Sequence, residues 1–135
     1  MNKIIVKNCR TVELPTFQDG KDGCLSVAEG MPFQIKRVYY IYDLNNNAVR
    51  GKHAHKKLEQ VIFCVNGDFV MEVEDGRKKD FIALDKPNVG LYIGPDVWHI
   101  ISCFSEDCII LVLASDYYDE SDYIRNYSQF KRDRK

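Results

Sequence analysis

The chain has 135 residues, a formal net charge of −1, 45% hydrophobic and 29% charged residues. That length suits a single domain over 1–135, which buries roughly two thirds of its unfolded surface and needs no covalent staple. The near-neutral charge argues against nucleic-acid or membrane-surface partners, and no apolar run approaches the ~18 residues of a membrane span.

The basic cluster Lys131, Arg132, Arg134 and Lys135 is short and terminal, and reads as a solvated end. Cys9, Cys24, Cys64, Cys103 and Cys108 are odd in number and lack CxxC spacing. Free thiols buried as small hydrophobes are therefore expected, rather than a disulfide or zinc framework, and a cytoplasmic setting follows.

In chain order, short runs rich in Val, Ile, Tyr and Phe alternate with turn signals. After a turn around Gly23 come IKRVYYIYDL, RGKHAH, EQVIFCVNG, DFVMEVEDG, KDFIALD, VGLYIG, HIISCFS and CIILVLAS. Many short strands at even spacing predict an all-β sandwich or barrel, here a jelly roll. Asn66-Gly67 predicts a hairpin, because a type I′ turn needs positive φ at both central residues, and Asp75-Gly76 predicts a second. From Asp119 to Phe130, Tyr123, Tyr127 and Phe130 recur at helical spacing and predict a short C-terminal helix on the sheet.

Residues i and i+2 on a strand share a face, so His53 and His55 place two imidazoles on one side a few ångströms apart. Histidine titrates near neutral pH, which suits the pair to acid–base work in a pocket. By the same period, Arg37 and Tyr39 share a face of the IKRVYYIYDL strand.

Arg50-Gly51-Lys52-His53-Ala54-His55, then Glu59-Gln60 and Gly67, resembles the first signature of the cupin jelly roll. Gly90, Gly94-Pro95 and His99 resemble its second. Many cupins bind a metal through two histidines, a glutamate and a later histidine. Here the spacing to Gly67 puts Gln60 at the glutamate-like position, and an amide oxygen is the weaker ligand for a hard cation. The pair therefore reads as acid–base groups ahead of metal ligands, although three histidines remain able to hold zinc or iron.

The segments IKRVYYIYDL, RGKHAHKKLEQV, GLYIGPDVWHI and LVLASDYYDESDYIRNYSQF resemble the dTDP-4-keto-6-deoxy-D-glucose 3,4-ketoisomerases, from Phe33 to Phe130. The resemblance implies an isomerase of bacterial deoxyamino-sugar biosynthesis, serving O-antigen, S-layer or lipopolysaccharide-type glycans. Its substrate would be a dTDP-linked 4-keto-6-deoxyhexose and its cofactors none. His53 and His55 would be the catalytic pair, with His55 moving the proton between carbons and His53 serving the oxygens. Arg50 and Arg37 would hold the diphosphate, since a guanidinium fork matches phosphate oxygens. Gln60 would line the pocket, Tyr39 would bond the sugar or phosphate, Trp98 would stack on thymine and His99 would sit over the hexose. Packing within the core is the competing reading for Tyr39 and Trp98.

The family delivers either C4 configuration, and His99 after Trp98 favours the galacto-type product, with the Lys21–Gly23 turn as a second influence. A homodimer exchanging strands from residues 3–30 is also implied. The alternatives are a dTDP-sugar 3,5-epimerase, for which the sequence offers no evident histidine–aspartate arrangement, a metal-dependent cupin, and a non-catalytic sugar-nucleotide binding module.

Overall fold

The apolar runs become strands, and their alternation decides which way each side chain points. The computed structural model describes residues 3–134. Its strands are β1 (Cys9–Glu13), β2 (Thr16–Gln18), β3 (Cys24–Ser26), β4 (Arg37–Ile41), β5 (Arg50–His55) and β6 (Gln60–Asn66). Then come β7 (Phe69–Glu74), β8 (Lys79–Leu84), β9 (Val89–Ile93), β10 (Trp98–Ser102), β11 (Ile109–Ala114) and β12 (Tyr123–Ile124), with one helix, α1 (Tyr127–Asp133).

Two five-stranded antiparallel sheets, ordered β1-β9-β6-β11-β4 and β12-β5-β10-β7-β8, form the layers of a jelly roll. Between them lie Ile62, Cys64, Met71, Val73, Leu91, Ile101, Ile110 and Val112, all buried. On β6 the intervening Val61 and Phe63 face the other way and are covered by Leu14, Met31, Phe33 and Ile35. Both faces of β6 are therefore dry, which is why it reads as the unbroken run VIFCV.

Asp75-Gly76 does join paired strands, β7 and β8. Asp75 Oδ1 accepts from the amides of Arg77 and Lys78, and Gly76 takes φ of 96°. Asn66-Gly67 does not form the predicted hairpin: β6 pairs with β9 and β11, while β7 pairs with β8 and β10. The chain turns a corner from one sheet to the other there. Asn66 Nδ2 donates to the Asp107 carbonyl and the Asp68 amide donates to Ser105 Oγ, so its polar groups bond a distant loop rather than each other.

The expected short C-terminal helix on the sheet is present but starts later than the aromatic spacing implies. A 3₁₀ turn over Glu120–Asp122 leads into β12, and the helix begins only at Tyr127, where the Asn126 side chain accepts from the Gln129 amide. Among the cysteines, Cys9, Cys64 and Cys108 are buried, whereas Cys24 and Cys103 are exposed. No helix among the described residues is long and apolar enough to cross a membrane.

Helix α1 closes the outer face of the second sheet. Phe130 is fully buried against Ala54, Trp98 and Ile124, and Tyr127 donates to buried Glu74, which also pairs with Lys131 at 3.2 Å. Phe130→Ala should cost about 3–5 kcal/mol of unfolding free energy, as expected when a buried aromatic leaves a cavity. Denaturant titration measures it; a loss below about 1 kcal/mol would show that α1 adds little to the fold.

Candidate active site

Strand β5 ends in His53-Ala54-His55, and the antiparallel partner β10 begins with Trp98-His99. His53 stands directly opposite His99 in the register. Alternation turns the histidines inward and sends Ala54 and Trp98 outward to pack under α1. The imidazole centroids lie 4.9 Å apart for His53 and His55, 4.6 Å for His53 and His99, and 5.9 Å for His55 and His99.

Two hydrogen bonds set the proton positions on two of the three rings. His55 Nδ1 donates to Asp122 Oδ2 at 3.2 Å and His99 Nδ1 donates to the Val97 carbonyl at 3.1 Å; carboxylate and carbonyl oxygens only accept. In each neutral ring the opposite nitrogen, Nε2, then carries the lone pair. His55 Nε2 and His53 Nδ1 are buried without a hydrogen-bond partner among the described residues.

All three histidines are held neutral. Burial, then the neighbouring His55, lowers the His53 pKa to about 4, and burial, then His53, lowers His99 to about 3. His55 is lowered as well, by burial and then by His99; Asp122 opposes the shift without overcoming it. The site thus presents free bases at neutral pH.

Asp122 is a hub. Its carboxylate also accepts from the amides of Lys57 and Leu58 at 2.9 and 3.2 Å, and its carbonyl accepts from the Lys56 amide at 2.9 Å. The turn after β5 is thereby fixed to the segment before β12. Tyr123, opposite His55 in the register, lays its ring 4.8 Å from His53 and 4.5 Å from His55. Arg125 covers the Tyr123 ring at 4.2 Å.

The histidines open onto a cavity between the sheets. Arg37, Tyr39 and Gln60 line it from one sheet, and Arg50, His53, His99 and Tyr123 from the other. A second lobe, with His55, Lys57, Ser115, Asp116 and Asp122, adjoins it through the shared Arg37 and Tyr123. Gln60 Nε2 donates to the Tyr39 hydroxyl at 2.8 Å, while Gln60 Oε1 and Arg37 Nε are buried and unpaired. Arg37 offers a charged donor, and Gln60 a neutral acceptor, to a polar occupant.

The structure thus gathers His53, His55, His99, Arg37, Tyr39, Arg50 and Gln60 around one centre. It removes Trp98 from that group: the indole is buried 5.2 Å from the Tyr127 ring and 5.6 Å from Phe130. Its odd-numbered offset from His99 puts it on the opposite side of the sheet, so packing is what its position offers, not stacking on a base. Asp122 and Tyr123 were not expected. Both fall in the tail segment whose aromatic spacing predicted helix, and only the β12–β5 pairing brings them to the histidines. A histidine–aspartate arrangement therefore does exist here, contrary to the sequence reading.

As a metal centre, His53, His55 and His99 bring their ligating nitrogens within 4.8 Å of one another. Glu59, the first carboxylate after the His53–His55 pair, accepts instead from the Tyr92 hydroxyl at 2.7 Å. The donor set is three imidazoles with an amide beside them, which suits zinc or a softer ion better than a hard one.

The family described as "FdtA: WxcM-like, C-terminal" matches residues 7–135. A TDP-4-oxo-6-deoxy-alpha-D-glucose-3,4-oxoisomerase of Aneurinibacillus thermoaerophilus is 53% identical over 125 residues, covering 91% of this chain and 90% of that protein. The chain belongs to the FdtA-like sugar 3,4-ketoisomerases. Among solved structures, the 3,4-ketoisomerase QdtA of Thermoanaerobacterium thermosaccharolyticum in complex with TDP superposes with a TM-score of 0.92 at 44% identity, covering 96% of each chain. The TDP-quinovose 3,4-ketoisomerase WlaRB of Campylobacter jejuni gives a TM-score of 0.89 at 44% identity, covering 94% of this chain and 99% of that one.

Neutral, desolvated histidines set the pH response. The acid limb of kcat/KM should lie below pH 5, because burial lowers both His55 and His53, the latter to about 4, and protonating either removes a base that the proton transfers need. A limb near 6.5 would contradict the burial argument. Unfolding free energy should fall in the same direction. Folded-state values depressed from 6.5 mean that the unfolded chain binds more protons, so stability declines as pH drops from about 6.5 towards 4. Asp122→Asn should lower kcat by about 10²-fold or more with a small change in KM, because an uncharged amide no longer stabilises the imidazolium or fixes its tautomer; an unchanged kcat would contradict it.

Proposed function

We propose that this ketoisomerase acts on TDP-4-keto-6-deoxyglucose, moving the carbonyl from C4 to C3, with His55 and His53 as its acid–base pair. The C3 hydrogen is acidified by the adjacent C4 ketone. His55 Nε2 takes it as a proton, leaving an enediolate across C3 and C4. His53 relays a proton between the two oxygens, so that O4 gains one and O3 loses one. His55, its Nε2 proton exchanged with solvent, then protonates C4, and the 3-ketone forms. Every bond broken is matched within the substrate, so no external oxidant is required.

The single observation that carries the division of labour is the His55–Asp122 hydrogen bond. A carboxylate on Nδ1 leaves Nε2 as the basic atom and stabilises the imidazolium formed after proton abstraction. Arg37 and Arg50 are read as the diphosphate clamp, Tyr39 and Gln60 as its polar support, and His99 as the wall over the hexose. The similarity to TDP-sugar ketoisomerases supports this assignment. The Gln60 amide, in place of an acidic ligand, supports acid–base chemistry without a metal. We read the C4 product as galacto-type, and a cytoplasmic setting agrees with cysteines that are all free.

The experiment is incubation with TDP-4-keto-6-deoxyglucose in deuterated water, followed by product NMR. A 3-ketone with deuterium at C4, and no exchange at C5, is the expected result; C5 exchange with a retained 4-ketone would establish epimerisation instead. His55→Asn should abolish C3 exchange while TDP still binds. Removing metal with a chelator should leave turnover unchanged. Loss of turnover that a defined metal ion restores would overturn the metal-free reading.

A homodimer is part of this reading. Strands β2 and β3 form a two-stranded sheet of their own with every residue exposed. Phe17 and Leu25 are 61% and 59% exposed there, and Val38 and Tyr40 are likewise exposed on the outer face of β4. Apolar surface of this kind supports a partner copy. Light scattering should give twice the chain mass at micromolar concentration; a monomer would contradict it.

A further inference from the structure

Arg50 stands three residues before His53, an odd spacing that on a regular strand would put the two side chains on opposite faces. Yet both line the same cavity, and the Arg50 charge is felt at Tyr39. The register shows how. His99 and Ile101, two apart on β10, face the cavity together, and their partners on β5 are His53 and Arg50. Strand β5 therefore takes three steps where β10 takes two. The register shifts between His99 and Ile100, where Gly51 opposes Ile100 and Lys52 is the extra residue. Gly51 and Lys52 both adopt left-handed φ, 86° and 61°; at position 51 this is the conformation that a glycine-led bulge requires.

We propose that Gly51 is a positioning residue for the sugar-nucleotide diphosphate: the Gly51–Lys52 bulge corrects the parity of β5, so that Arg50 faces the pocket beside His53. This inference rests on reading the pocket as a TDP-sugar site. Glycine is required at 51 on two grounds. A side chain there is strained at that φ, and its Cβ would lie 2.8 Å from the His99 carbonyl oxygen and 3.4 Å from Ile100 Cα. Both are backbone atoms of β10 that cannot give way without moving the strand that carries His99. Lys52 contributes its backbone conformation, since its side chain does not line the cavity as that of Arg50 does.

The test is a double-mutant cycle on TDP binding by calorimetry, with KM and kcat alongside. Arg50→Ala should weaken TDP binding by about tenfold or more, the loss expected for a charge-assisted contact. Gly51→Ala should weaken it by a similar factor and raise KM more than it lowers kcat. The double variant should bind no more weakly than Arg50→Ala alone, because the glycine acts through the arginine. Lys52→Gly, which keeps the left-handed backbone and removes the charge, should bind TDP as the parent does. Additive losses, or a Lys52→Gly loss equal to that of Arg50→Ala, would overturn the proposal.

Should Gly51→Ala fail to fold, Arg50→Cys and Lys52→Cys supply the reading, with alkylation at each position followed by peptide mass spectrometry. TDP should protect position 50 and not position 52; equal labelling would overturn the proposal. Failure of the parent chain to bind TDP would instead overturn the reading of the site.

Discussion

The hydrogen bond from His55 to Asp122 joins residues 67 apart in sequence, and the active-site geometry depends on it. The same carboxylate holds the two amides that follow β5, so one side chain fixes a ring, a turn and the entry to β12. Its effect on charge is opposed by burial. A carboxylate alone would favour imidazolium, but three desolvated imidazoles with centroids within 5.9 Å of one another cannot all carry protons, and burial wins at each of them. The outcome is a cluster of neutral bases in which one has its tautomer fixed by an acid.

Sheet geometry explains why the cluster forms at that place. Two strands from one sheet supply the histidines, and the opposing sheet supplies Arg37, Tyr39 and Gln60 across the cavity. Behind the histidine face, Trp98 and Phe130 seal the sheet against α1. The outward residues of β5 and β10 thus hold the strands rigid while the inward ones stay free for substrate. An acid–base site needs that division, since a proton acceptor displaced by an ångström loses much of its advantage.

Much of this was legible from residue spacing. Period-two alternation placed His53 with His55 and Arg37 with Tyr39, and the short apolar runs between turn signals marked most of the strands. The failures have physical causes. Asn66-Gly67 specifies a turn, but not which sheet the next strand joins. Tyr123, Tyr127 and Phe130 fit a helical period, although β12 pairing captures the first and only the last two lie on α1. Asp122 is one acidic residue among several in that tail, and only tertiary pairing distinguishes it. Arg50 and His53 share a face because of a bulge whose glycine is visible in the sequence but whose register shift is not.

The account stands on neutral imidazoles with His55 protonated at Nδ1. Long-range ¹H–¹⁵N correlation spectra of the histidine side chains at pH 7 report charge and tautomer for each ring. His55 should show a protonated Nδ1 and a bare Nε2, with no ring in the cationic form. A His55 imidazolium at pH 7, or a neutral His55 protonated at Nε2, would contradict it.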